Sequence, residues 1–226
     1  MRKTITLSLL TIILCSFSQG IYNDIYLICK TGDFLFTHCK TEIRISAPGI
    51  PPGDLSYISD GCRIFPGNEP GTIYVYPESY KMVYNKPVVK INVLVKNQIV
   101  QTREFQSIVP PLPAIELYSD TKKINLMVGE AAGSINKIQI HIQPDPAFSA
   151  MFPEEDDYTL SDADLILVRG KRPVYTGKPG NNIDVSEWPD QPGDRFMLRV
   201  KELTRITSAG EKVPVTFDGI YNICMY

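Results

Sequence analysis

Apolar residues recur at every second position through most of this chain, the period of a strand whose side chains alternate between two faces. TEIRISA alternates about Ile43 and Ile45, and TIYVYP about Ile73 and Val75. VVKINVLVK sets Val89, Ile91, Val93 and Val95 in one phase. IQIHIQ does the same with Ile138, Ile140 and Ile142, and FMLRVKELTRI opens with Phe196, Leu198 and Val200. Between these runs lie PGIPPGD, SDGC, FPGNEPG, KPGNN and QPGD, all clusters of turn-forming residues. Short strands at a spacing of about ten residues predict an all-β chain of immunoglobulin-like β-sandwiches. GEAAGSINKI reads as a turn or a single helical turn, and no longer helix is expected.

One segment interrupts the pattern. In SIVPPLPAIEL, Pro110, Pro111 and Pro113 favour an extended path and offer no amide donor to a sheet. This suits a short, semi-rigid linker at 110–113 between a first sandwich domain at 22–109 and a second at 114–226. Each half then has roughly the hundred residues of such a sandwich.

The first twenty residues break the pattern in another way. MRKTITLSLLTIILCSFSQG carries Arg2 and Lys3, then an apolar run too short to span a bilayer, then small residues. It reads as a signal peptide over 1–20, cleaved near Ser18 to Gly20, which places the protein in the periplasm or at the cell surface. Lipidation at Cys15 is the alternative, although Leu14 fills the position where a small residue is expected. Losing Arg2 and Lys3 takes the whole-chain charge of −2 to about −4, the opposite of a nucleic-acid binder. No later stretch is apolar enough for a membrane helix, so no transmembrane segment is expected in the mature chain.

Export makes disulfides chemically accessible, and Cys29, Cys39, Cys62 and Cys224 follow the leader. Cys29 and Cys39 flank KTGDFLFTH and are the candidate pair, closing a hairpin. Zinc is not expected, because there is no CxxC and only His38 and His141 supply imidazole. No cofactor is expected either: GxSxG, HExxH and Walker-type sequences are absent. PEEDDY, with Asp162 and Asp164 beyond it, is the best metal candidate, but it lacks a calcium loop's glycine and distal glutamate. A solvated loop before a strand is the expected reading.

The densest cationic stretch is LVRGKRPVYTG, with Arg169, Lys171 and Arg172 around Gly170. A phosphate cradle needs more glycines and a following helix start, whereas ADLILV and RPVYT both read as strands. The cations therefore sit on a hairpin or bulge. They serve either to protect a sheet edge or to meet an acidic partner.

Several segments taken together resemble the C-terminal periplasmic region of the GldM (PorM) family of gliding-motility and type IX secretion proteins. IQPDPAF, YTLSDADLILVRGKRPV and QPGDRFMLRVKELTRITSAGEKVPV are similar to the family's last domain. EIRISAPGIPPGDLSYISDGC resembles the preceding domain, and FQSIVPPLP the linker between the two. The resemblance implies two sandwich domains that form the distal part of a dimeric periplasmic rod, which contacts the outer-membrane-associated ring of the secretion machine. It also implies that Arg169, Lys171, Arg172 and Arg195 match basic positions of the last domain. There they either face a partner or pair with Asp164, Asp194 and Glu202. No counterpart of the family's membrane helix and motor-coupling bundle is expected ahead of the first domain, so force transmission is not carried over.

The expected function is a non-enzymatic, exported envelope protein that acts by protein–protein contact, accessory to the rod tip or competing for its docking surface. A homodimer is compatible with the resemblance. The alternative is a carbohydrate- or ligand-binding module, for which Tyr74, Tyr76, Tyr80 and Tyr84 would form an aromatic face. A hydrolase would require His141 to meet acidic groups in a cleft. Trp188, the only tryptophan, is expected as a core or corner anchor, with an exposed hot spot as the other reading.

Overall fold

The computed structural model describes residues 24–78, 81–83, 86–178 and 180–226. The leader at 1–20, including Cys15, and the candidates Tyr80 and Tyr84 lie outside the described residues. The chain is almost wholly β and divides into two compact units, one ending at Val109 and the other spanning Pro110–Tyr226. Between Ile108 and Ala114 no strand forms.

The first unit holds β1 (Tyr26–Cys29), β2 (Phe34–Phe36), β3 (Thr41–Ser46), β4 (Leu55–Asp60), β5 (Cys62–Pro66), β6 (Thr72–Pro77), β7 (Lys81–Val83), β8 (Lys86–Val95) and β9 (Gln98–Ile108). One sheet has the order β1-β3-β6-β5. The other has the order β2-β9-β8-β4, with β7 also on β8. The alternation in the sequence does what it predicts: Ile43, Ile45, Ile73 and Val75 of one sheet bury against Val89, Ile91, Val93 and Phe105 of the other. β8 turns into β9 at Lys96 and Asn97, both at positive φ (49° and 62°), as a two-residue type I′ hairpin demands.

The cysteine expectation is corrected here. No disulfide forms among the described residues. Cys29 and Cys39 do not close a hairpin, because the chain crosses the sandwich between them. β1 pairs with β3 in one sheet, while β2 pairs in parallel with β9 in the other. The Cys29 thiol joins the core and lies 3.0 Å from the Thr31 hydroxyl. The buried Cys39 thiol turns toward the Thr37 carbonyl at 3.5 Å.

The second unit holds β10 (Ala114–Ser119), β11 (Lys122–Lys123), β12 (Lys137–Gln143), α1 (Pro146–Met151), β13 (Asp157–Arg169), β14 (Arg172–Gly177), β15 (Asn182–Asp184), β16 (Asp194–Ile206) and β17 (Lys212–Cys224). Its sheets have the orders β11-β10-β12-β15 and β14-β13-β16-β17. Ile138 and Ile140 of the first pack with Leu165, Leu167, Phe196, Leu198 and Val200 of the second. A bulge between Val200 and Glu202 shifts the phase of β16, so that Leu203 and Arg205 now take the inward positions.

Helix α1 was not expected from the apolar period. Its signal is the cap: the Asp145 carboxylate accepts from Phe148 N–H at 2.8 Å, and Pro146 occupies the first turn. Residues 129–136 form turns and a single bridge from Glu130 to Met225, with no helix.

Candidate partner-binding site

β13 and β14 form a hairpin closed by the pair Arg169–Arg172, with Gly170 and Lys171 as its two loop residues. Gly170 has φ 59°, the left-handed geometry that a type II′ turn requires at its first loop position. Between Leu167, which pairs with Tyr175, and Val168, which pairs with Pro173, a bulge leaves Val174 as the extra residue of β14, so Pro173 lies just ahead of it.

The four basic residues divide into different roles. Arg169 roots the hairpin. Its Nε and a terminal nitrogen donate to both oxygens of Asp194 at 2.8–3.3 Å, and the same nitrogen reaches the Pro189 carbonyl at 2.8 Å. The Asp194 side chain is only 1% exposed, while that of Arg169 is 40% exposed. Asp194 also accepts from Gln191 N–H, and its own carbonyl receives Met225 N–H. Donation from Arg169, helped by the Gln191 amide, holds this carboxyl below the ordinary aspartate range, against the burial that would raise it. Lys171 and Arg172 stand exposed at the tip, and no salt bridge reaches them among the described residues. Arg195 is exposed on the opposite face of its sheet from Asp194, beside Val168 and Cys224 in the register.

Of the acids considered as their partners, only Asp194 takes that role. Asp164 pairs with Lys201 at 2.6 Å, and Asp162 approaches the same ammonium at 3.7 Å. Trp188 anchors the neighbouring loop. Its ring lies 5.9 Å from Phe196 in the core and 5.5 Å from Tyr175 on β14.

The acidic loop leads into β13 with Glu154 and Asp157 exposed, as a solvated loop should, but one of its acids departs from that expectation. Glu155 is buried against Arg205, both side chains only 2% exposed, with a 3.1 Å contact. Its second oxygen accepts from the Ser208 hydroxyl at 2.6 Å. The signal for this pair lay in the phase shift of β16, which turns Arg205 inward, and not in the run of acids. No group of three metal-ligating side chains gathers among the described residues.

His141 does meet an acid: it lies opposite Glu116 in the register and stacks on Tyr118 at 4.5 Å. Glu116 is already engaged, accepting from Lys123 at 2.5 Å and Tyr118 at 3.0 Å, and both bonds lower its pKa. His141 is exposed on strand β12, not in a cleft. His38 instead packs edge-on to Tyr76. Tyr76 is buried, with Arg63 over its ring at 4.5 Å, and Lys40 lies 4.2 Å from the centre of Tyr74. These two tyrosines form no open aromatic face. A cleft of about 640 Å³ opens elsewhere in this unit, between edge strands β4 and β5, lined by Leu55, Tyr57, Ile64 and Phe65.

Compared with known protein families and with curated proteins, the chain matches none. Fold and site together define a β-sandwich protein with a firmly rooted, solvent-facing basic hairpin.

Proposed function

We propose that this chain is an exported, non-enzymatic protein of the cell envelope that works by protein–protein contact, as the distal part of the GldM rod does. The observation that carries the reading is the division of labour in the hairpin. Arg169 fixes its root to a buried carboxylate, while Lys171 and Arg172 stand exposed at the tip with no salt bridge among the described residues. A charged tip already held in place loses little freedom on docking, so more of its attraction for an acidic partner appears as affinity. The partner in this reading is the outer-membrane-associated ring of the secretion machinery.

The test is binding of purified protein to purified ring components, with Lys171→Glu/Arg172→Glu as the variant. Capture that weakens at least tenfold with the double variant, and weakens with salt in the native protein, supports the reading. Binding that ignores both changes, or no binding at all, refutes it.

The cleft between β4 and β5 favours a second reading, a ligand-binding module, because its size and its Tyr57 and Phe65 walls suit a small apolar or sugar ligand. Glycan-array binding lost in Phe65→Ala would support it.

A further inference from the structure

We propose that β14 is a docking edge that takes up an extended acidic segment of the partner as an added strand. This rests on the partner-contact reading above and specifies how the contact is made. Among the described residues β14 is the edge strand of its sheet, with β13 on one side and no strand on the other. Residues 170–183 carry Lys171, Arg172 and Lys178 and no acidic residue, although the chain as a whole is net acidic. All three cations are exposed, and among the described residues no acidic side chain pairs with any of them. The strand between these charges is not merely polar. Val174 is 39% and Tyr175 43% exposed, and the Tyr175 ring leans on Trp188, which is seated against Phe196. An apolar ledge rooted in the core thus lies between basic ends.

Pro173 sets the register. It has no N–H to give, so an added strand finds its donors beyond it, among those amides of Val174–Gly177 that do not face β13. Backbone pairing there places the incoming segment between the hairpin cations and Lys178, where alternate acidic side chains meet them. Edge protection uses the same devices, a proline, a bulge and cations. It does not call for an aromatic ledge beside the open edge.

The probe is a capped eight-residue peptide alternating glutamate with valine. Its glutamine–valine counterpart and a version N-methylated at alternate amides are the controls. Fluorescence anisotropy is expected to show the glutamate peptide binding at least tenfold more tightly than either control. Lys171→Glu/Arg172→Glu is expected to abolish that difference while the folded circular dichroism spectrum is kept. Hydrogen exchange should slow at the outward-facing amides within 174–177, those not already bonded to β13. Absent binding, equal binding of the glutamine peptide, or equal displacement by an oligonucleotide overturns the proposal. Binding that depends on Lys171 and Arg172 but tolerates N-methylation and leaves 174–177 unprotected removes strand addition and leaves the basic-hairpin reading standing. Binding indifferent to those two residues removes both.

Discussion

Replacing Glu155 by alanine should be among the most damaging single changes in the second unit. The carboxylate is the counter-charge of a guanidinium sealed from water, with both side chains only 2% exposed. Its loss takes a carboxylate away from the buried Arg205 guanidinium and removes the acceptor that the Ser208 hydroxyl reaches at 2.6 Å. Removing one member of such a pair costs about 3–5 kcal/mol, a large part of the ~5–15 kcal/mol that holds a typical domain together. For a unit of this size that is a fall in midpoint of roughly 10–20 °C. Replacing both partners, Glu155→Leu with Arg205→Met, should return stability to within about 1 kcal/mol of the native value or above it, because neither charge is then buried. Guanidinium and thermal denaturation of the full chain, followed by circular dichroism, measures all three proteins. The cost of Glu155→Ala should persist in high concentrations of sodium chloride, which screens exposed pairs and not sealed ones. A loss below about 1 kcal/mol, or a double variant no better than the single one, would show that water reaches the pair and refute the reasoning.

Asp194→Asn should destabilise the protein at neutral pH, with a loss that shrinks as the pH falls. The folded pKa of Asp194 lies below its unfolded value of about 3.9, so its contribution is complete above about pH 4 and fades as pH drops through the lower folded value. Denaturant midpoints of native and variant protein from pH 7 to 2.5 should therefore converge. Gly129→Ala should cost about 2 kcal/mol or more, because φ is 87° and the new methyl would sit 2.3 Å from the Cys224 carbonyl oxygen. Its thermal midpoint checks this. Among the described cysteines, Cys224 should alkylate first at pH 8. Cys62, its thiol pushed up to about 12 by burial and then by Glu78, should stay unmodified until the protein unfolds, as mass spectrometry of trapped peptides would report.

The strands were legible because their faces are unequal: Val89, Ile91 and Val93 alternate with polar neighbours and all three are fully buried. Arg205 was harder to read. Counting in twos from Phe196 puts it outside, and only the bulge after Val200, visible as the early arrival of Leu203, turns it inward. Its partner lies fifty residues back, so the run of acids at 154–157 looked like solvated charge. The cationic hairpin was legible from Gly170 between two strand patterns. The separate fate of Arg169 was not, because it depends on Asp194 falling in the same inward phase as Phe196 on a neighbouring strand. The cysteines misled for a topological reason: nearness in sequence suggested one hairpin, and the chain instead changes sheets between them.

That change of sheet has a consequence for the order in which the first unit is completed. Phe34–Phe36 find their partners only at Gln106–Ile108, some seventy residues later in synthesis. Until that stretch has been made the early strand has no place to dock, and the entropy of closing so long a loop falls on a single short pairing. The first sandwich therefore closes late, and a chain stalled before Ile108 presents an open seam for other nascent strands to enter.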